Sequence, residues 1–172
     1  MEKKCVKEFL AWAIPCIKYY DFYTGSKREQ IKQKWLEVGN ETEKALETGI
    51  INDEVLKKGW CMAYPRVLKL IEKSVKNPMK EYMFNTHNEL VIKWCSVRED
   101  ANFCLALVGK VIKNYNNKLL VNILGKEKEV INNCKARNGD CVGIHYWEAV
   151  ETLSKDEFNK YNELIKEYHE YI

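Results

Sequence analysis

Near residue 102 the apolar side chains of this chain change their spacing, and that change limits the fold more than any other feature. Before it they recur every three or four positions; after it they alternate or run together in short stretches bounded by Gly, Asn and Asp. The first pattern marks amphipathic helices, and the second marks short strands joined by tight turns. The polar stretch SVREDAN over 96–102 lies between them. We therefore expect an α+β protein, with a helical domain over 1–97 and a small β domain over 98–172.

Within 3–22, Val6, Phe9, Leu10, Ala13, Ile14, Ile17 and Tyr20 fall on one helical stripe, and Pro15 inside it predicts a kink or a boundary between two shorter helices. A second helix is expected over 27–47, carrying Ile31, Trp35, Val38, Ala45 and Leu46 and ended by Gly49. Asn52 is placed to cap a third segment that runs past Trp60, with Pro65 opening its continuation to Val75. Asn77 and Pro78 stop that run. A fourth helix, 79–94, has His87 among Tyr82, Met83, Leu90, Val91 and Trp94. No second ligand stands at the spacing of an HExxH helix, so His87 reads as a core histidine bonded to a backbone carbonyl. The helical part is assigned no chemistry.

The β part opens with a strand over 104–113, in which Gly109 predicts a bulge or a bend. Asn116 and Asn117 tolerate the positive φ of a hairpin turn, and 119–124 is the return strand. Gly125 makes the next turn, 126–131 a third strand, Asn138, Gly139 and Asp140 a tight turn, and 141–145 a fourth strand. Four short strands need closure or a second layer to bury their apolar face, and a small curled barrel supplies it. Ser154 and Glu157 spell a capping box for a last helix to about residue 171, with Phe158, Tyr161, Leu164, Ile165 and Tyr168 on its apolar stripe.

Apolar residues at 46% against 31% charged argue for a folded chain, and a net charge of +3 is too mild to imply a polyanion partner by itself. Every apolar run is interrupted before the ~18–20 residues a bilayer span needs, so no membrane partner is expected. Seven cysteines in no even framework, behind a start that lacks a cleavable leader pattern, point to a reducing, cytoplasmic setting. No C-x-x-C pair occurs, which speaks against a structural zinc site, although Cys95 stands near enough to Cys104 for a three-ligand site with His145.

Two ends of the β part carry a further signal. Cys104-Leu105-Ala106-Leu107-Val108-Gly109-Lys110-Val111 opens it, and Gly139, Asp140, Val142, His145, Ala149, Val150 and Leu153 close it. Together they resemble the HypC/HupF family of hydrogenase-assembly chaperones, whose opening has a proline where this chain has Val108. The resemblance covers about 103–170. It implies an OB-like β-barrel with a C-terminal helix. It also implies a protein partner, either a maturation scaffold or a hydrogenase large-subunit precursor, and transient iron as cargo. By position it makes Cys104 and His145 the partner- or iron-binding residues, with Gly109, Gly139 and Asp140 supporting the motif. A thiolate is a soft ligand suited to iron, and an imidazole can ligate beside it or help deprotonate it.

Two readings stand beside this one. Cys104 is also what a small buried apolar residue at a strand start looks like, and His145 a strand-end histidine bonded to a loop. Over 103–146 there are seven basic side chains against three acidic ones, which allows an OB-like module that binds nucleic acid or another protein without metal. With Tyr115 and Tyr146 the few stacking candidates, nucleic acid is the less expected partner. No Ser/His/Asp grouping, G-x-G-x-x-G or phosphate-binding loop is found, so no enzyme is expected.

Overall fold

In a computed structural model the chain is described at residues 3–18, 38–41, 44, 48, 53–60, 63–95 and 104–172. Most of the expected 27–47 helix, the Gly49 stop, the Asn52 cap and the polar stretch 96–102 fall outside these residues. The chain divides into two compact units, Met1–Tyr82 and Met83–Ile172.

The first unit is helical. Helix α1 is Lys3–Lys18, α2 is Asp53–Gly59 and α3 is Ala63–Glu72. Pro15 lies inside α1, and residues 38–41 are also helical. Phe9 of α1 sits edge-on to both Trp60 and Tyr64, with ring centroids 5.4 and 5.7 Å apart. The three rings are buried, as are Leu10 and Ala13 of the expected stripe and Trp12, which that stripe left out.

Asn77, at φ 55°, then turns the chain, and Pro78 takes the first position of the short helix α4, Pro78–Glu81. A π-helical segment, Tyr82–His87, follows, and α5 runs Asn88–Cys95. The division between units thus lies within the fourth predicted helix, earlier than the expected 97/98. Residues from Met83 onward pack with the β part: Phe84 stacks on Tyr161, with ring centroids 4.3 Å apart and planes 19° apart.

Five strands make the sheet: β1 (Ala106–Asn114), β2 (Lys118–Ile123), β3 (Lys126–Asn132), β4 (Cys141–His145) and β5 (Glu148–Leu153). Their order is β1-β2-β3-β5-β4, with β4 returning to β1, so the sheet closes on itself as a barrel. Closure between β3 and β5 is a short parallel seam, Ile131 against Glu148 and Asn132 against Ala149. The other pairs are antiparallel. The fifth strand corrects the four read from sequence. Cys104, expected inside the first strand, stands two residues ahead of it.

Turn chemistry explains the connections. Asn116 takes φ 71° between β1 and β2, while Leu124 at φ 50° and Gly125 at φ 89° join β2 to β3. In β2 Leu119, Val121 and Ile123 are buried and alternate with more accessible residues, the period-2 pattern of a one-sided strand. The first half of β1 is buried without alternation, because helix α6, Lys155–Ile165, lies against that strand. Ser154 accepts the Glu157 backbone N–H while Glu157 accepts that of Ser154, the expected capping box. A 3-10 turn, Lys166–Tyr171, continues the chain where a longer α-helix was expected.

Candidate metal-binding site

Three elements of the second unit deliver three donor side chains to one place. His145 ends β4 and is fully buried, Cys104 precedes β1, and His87 closes the π segment. Cys104 Sγ lies 3.8 Å from His87 Nε2 and 4.0 Å from His145 Nε2. The imidazoles meet edge-on with centroids 5.2 Å apart, and all three donor atoms lie within 4.8 Å of one another. Cys104 and His87 are partly accessible, so the cluster is sealed on the His145 side and reached from theirs.

The β-ladder brings Cys104 to His145, because Ala106, two residues after the cysteine, is the register partner of His145. Asn88 brings the helix. Its Nδ2 donates to the Ala106 carbonyl at 2.9 Å, and its Oδ1 accepts the Ala106 N–H at 2.8 Å. A fully buried amide thus bonds the start of β1 as a neighbouring strand would, satisfying two backbone groups that burial would otherwise penalise. The same Oδ1 lies 3.5 Å from His87 Nδ1, at the long end of hydrogen bonding. A proton on Nδ1 there leaves the Nε2 lone pair facing the sulfur.

On the other flank, Tyr146 is buried, at φ 57°, and its ring lies 4.8 Å from that of His145. A bulky residue in left-handed backbone is strained by about 1–3 kcal/mol, a cost that persists only where surroundings enforce it. Glu148, the register partner of His145 on β5, is also buried and accepts from Asn133 Nδ2 at 2.5 Å.

The structure therefore joins Cys104 and His145, and adds His87, which sequence reasoning placed in the core. The other motif residues are elsewhere. Gly109 sits in regular register opposite Val142, and a Cβ on it would come within 3.1 Å of Ile144 and 3.2 Å of the Asn122 carbonyl; close packing explains it. Of the bulge or bend expected there, the bulge falls instead between Val111 and Lys113. Gly139, at φ 86°, and Asp140 shape the turn before β4: the Asp140 carbonyl accepts the Val111 N–H and its carboxylate accepts the Arg137 N–H. That turn lies five β1 residues from Ala106, about 16 Å along the strand. Both glycines and Asp140 build the barrel and do not touch the cluster.

Among the other cysteines, burial pushes the thiols of Cys134 and Cys141 up from the usual value, which favours the protonated form that does not bind metal. Cys141 lies at the opposite end of β4 from His145. The side chain of Cys95, the third ligand considered from sequence, lies outside the described residues. No protein-family model matches the chain, and no curated protein matches it.

Proposed function

We propose that this chain is a protein-binding adaptor of HypC/HupF type, whose OB-like barrel carries a thiol–imidazole grip for iron in transit to a metalloprotein. The single observation that carries the reading is the approach of Cys104 Sγ to 4.0 Å from His145 Nε2. Those are the two residues that the resemblance makes functional, 41 positions apart in sequence. The strand order β1-β2-β3-β5-β4 and the helix packed on β1 support the OB-like description. A thiolate and an imidazole fit a borderline-soft transition ion and suit magnesium or calcium poorly. In this reading the protein holds and hands over its cargo and catalyses nothing; its partner is a maturation scaffold or a hydrogenase large-subunit precursor. No helix among the described residues is long and apolar enough to cross a membrane.

Anaerobic affinity capture from the native host tests the reading. Wild-type protein is expected to retain a metalloprotein precursor or its assembly scaffold, and Cys104→Ala to lose it while keeping the wild-type circular dichroism. Equal capture by both proteins, or recovery of no such partner, would refute it.

One observation favours a second reading, a barrel that binds single-stranded nucleic acid. Tyr115 is 45% exposed at the β1–β2 turn with Lys113 Nζ 4.9 Å from its ring centroid, and Lys118, Lys126, Lys135 and Arg137 are also exposed. Stacking with flanking cations is the usual recipe for such binding. Steep loss of oligonucleotide binding with salt would favour it, and no binding at low salt would end it.

A further inference from the structure

We propose that His87, Cys104 and His145 form a three-donor site for a divalent first-row transition ion in the range iron(II) to zinc(II), leaving a further coordination position for a ligand from outside the three. The inference deepens the preceding reading and rests on its Cys104–His145 pair. It adds the third donor, the class of ion and the side from which the ion is reached.

Geometry comes first. Bonds of about 2.3 Å to sulfur and 2.0–2.1 Å to nitrogen, at a tetrahedral angle, place sulfur and nitrogen roughly 3.6 Å apart. The two sulfur–nitrogen separations here, 3.8 and 4.0 Å, need to shorten by only a few tenths of an ångström. The widest of the three separations is within 4.8 Å, so closing on an ion takes a further small movement of the donor groups.

The surroundings of His87 are those of a ligand. Its Nε2 faces the thiol and its Nδ1 faces the Asn88 amide oxygen, the second-sphere arrangement that fixes a metal-binding tautomer. Asn88 is itself fixed by its two bonds to Ala106. The π segment matters as well. Successive residues turn less about a π-helix axis than about an α-helix, so the consecutive side chains of His87 and Asn88 both reach the Cys104–Ala106 segment.

The donor set then selects the ion. Two neutral imidazoles and one thiolate suit late first-row divalent ions and offer none of the oxygens that calcium and magnesium require. Ligation by sulfur releases the thiol proton to solvent. Among the described residues the cluster holds these three side chains and no fourth. With His145 buried and the other two partly accessible, the remaining position opens on the Cys104–His87 side, where an outside ligand enters.

The test uses the full-length protein, reduced and stripped by chelator, titrated with cobalt(II). Wild type is expected to bind one ion, with a thiolate-to-cobalt charge-transfer band and the intense visible bands of a four-coordinate centre. Cys104→Ser should lose the charge-transfer band. His87→Gln should weaken binding on the order of a hundredfold, and His87→Cys should restore tight binding with a stronger sulfur band. Circular dichroism and urea unfolding of the metal-free variants separate ligand loss from misfolding. If His87→Gln binds cobalt as wild type does while Cys104→Ser does not, the third donor is wrong and the adaptor reading stands. If wild type shows no thiolate band, the inference and the metal part of that reading fall together, and partner capture still decides the rest.

Discussion

At the scale of single residues, Asn88 ties the helix that carries it to the start of β1. Its amide serves both backbone groups of Ala106, so Asn88→Ala buries an unsatisfied N–H and C=O at the start of β1. We expect a loss of about 2–4 kcal/mol in unfolding free energy, read by urea denaturation, against about 1 kcal/mol or less for an exposed control such as Glu89→Ala. Neither Asn88 nor His87 was legible as functional in the sequence. His87 lies on an apolar helical stripe, where a histidine is ordinarily a core residue, and its partners Cys104 and His145 are remote in sequence. Local spacing carries no trace of such a meeting. Cys104 and His145 are singled out in the sequence only by the resemblance, since a cysteine before a strand and a histidine at the end of one have bland readings too; what the structure adds is that they meet.

At the scale of elements, what was legible followed strict local rules. The alternation of Leu119, Val121 and Ile123, the turn at Asn116, and the Ser154–Glu157 box each rest on neighbours within a few positions. Strand β5 was missed because Glu148, Ala149 and Val150 are buried in succession, which hides the period of two. It pairs with β4 across a register shift at Gly143/Ile144 and with β3 over two residues, and no local pattern encodes either. Strand β3 carries a testable electrostatic load. Burial lowers the Lys128 pKa from its ordinary 10.5, so folding releases a proton between the lowered value and the ordinary one. The unfolded chain binds more protons across that window, and stability therefore rises with pH there. Urea midpoints measured from pH 7 to 10.5 should rise in wild type relative to Lys128→Met, which lacks the titrating group. Parallel profiles would show that Lys128 bears no such penalty.

At the scale of the whole molecule, the change of period marks where helix gives way to strand, and the division into compact units falls elsewhere. Sequence placed it at the polar stretch before residue 103, where the pattern breaks; packing places it between Tyr82 and Met83. The difference arises because Phe84 and Asn88, helical by pattern, spend their contacts on Tyr161 and Ala106 of the β part. A fragment spanning 83–172 should therefore unfold cooperatively on heating, followed by circular dichroism. One spanning 98–172 should melt lower by on the order of 15 °C, since about 3 kcal/mol of stacking and hydrogen bonding is gone. Equal melting temperatures would show that residues 83–97 add nothing to the β unit. The π segment that ends at His87 has a consequence of another kind. Such a turn accommodates one residue more than an α-helix of the same rise, so losing any one residue from 82–87 lets the segment relax to ordinary α geometry. The residues between the deletion and Asn88 would then swing around the helix axis relative to Asn88, and the gain or loss of the third donor is within reach of a single-codon insertion or deletion, a far shorter evolutionary path than rebuilding a site from side chains.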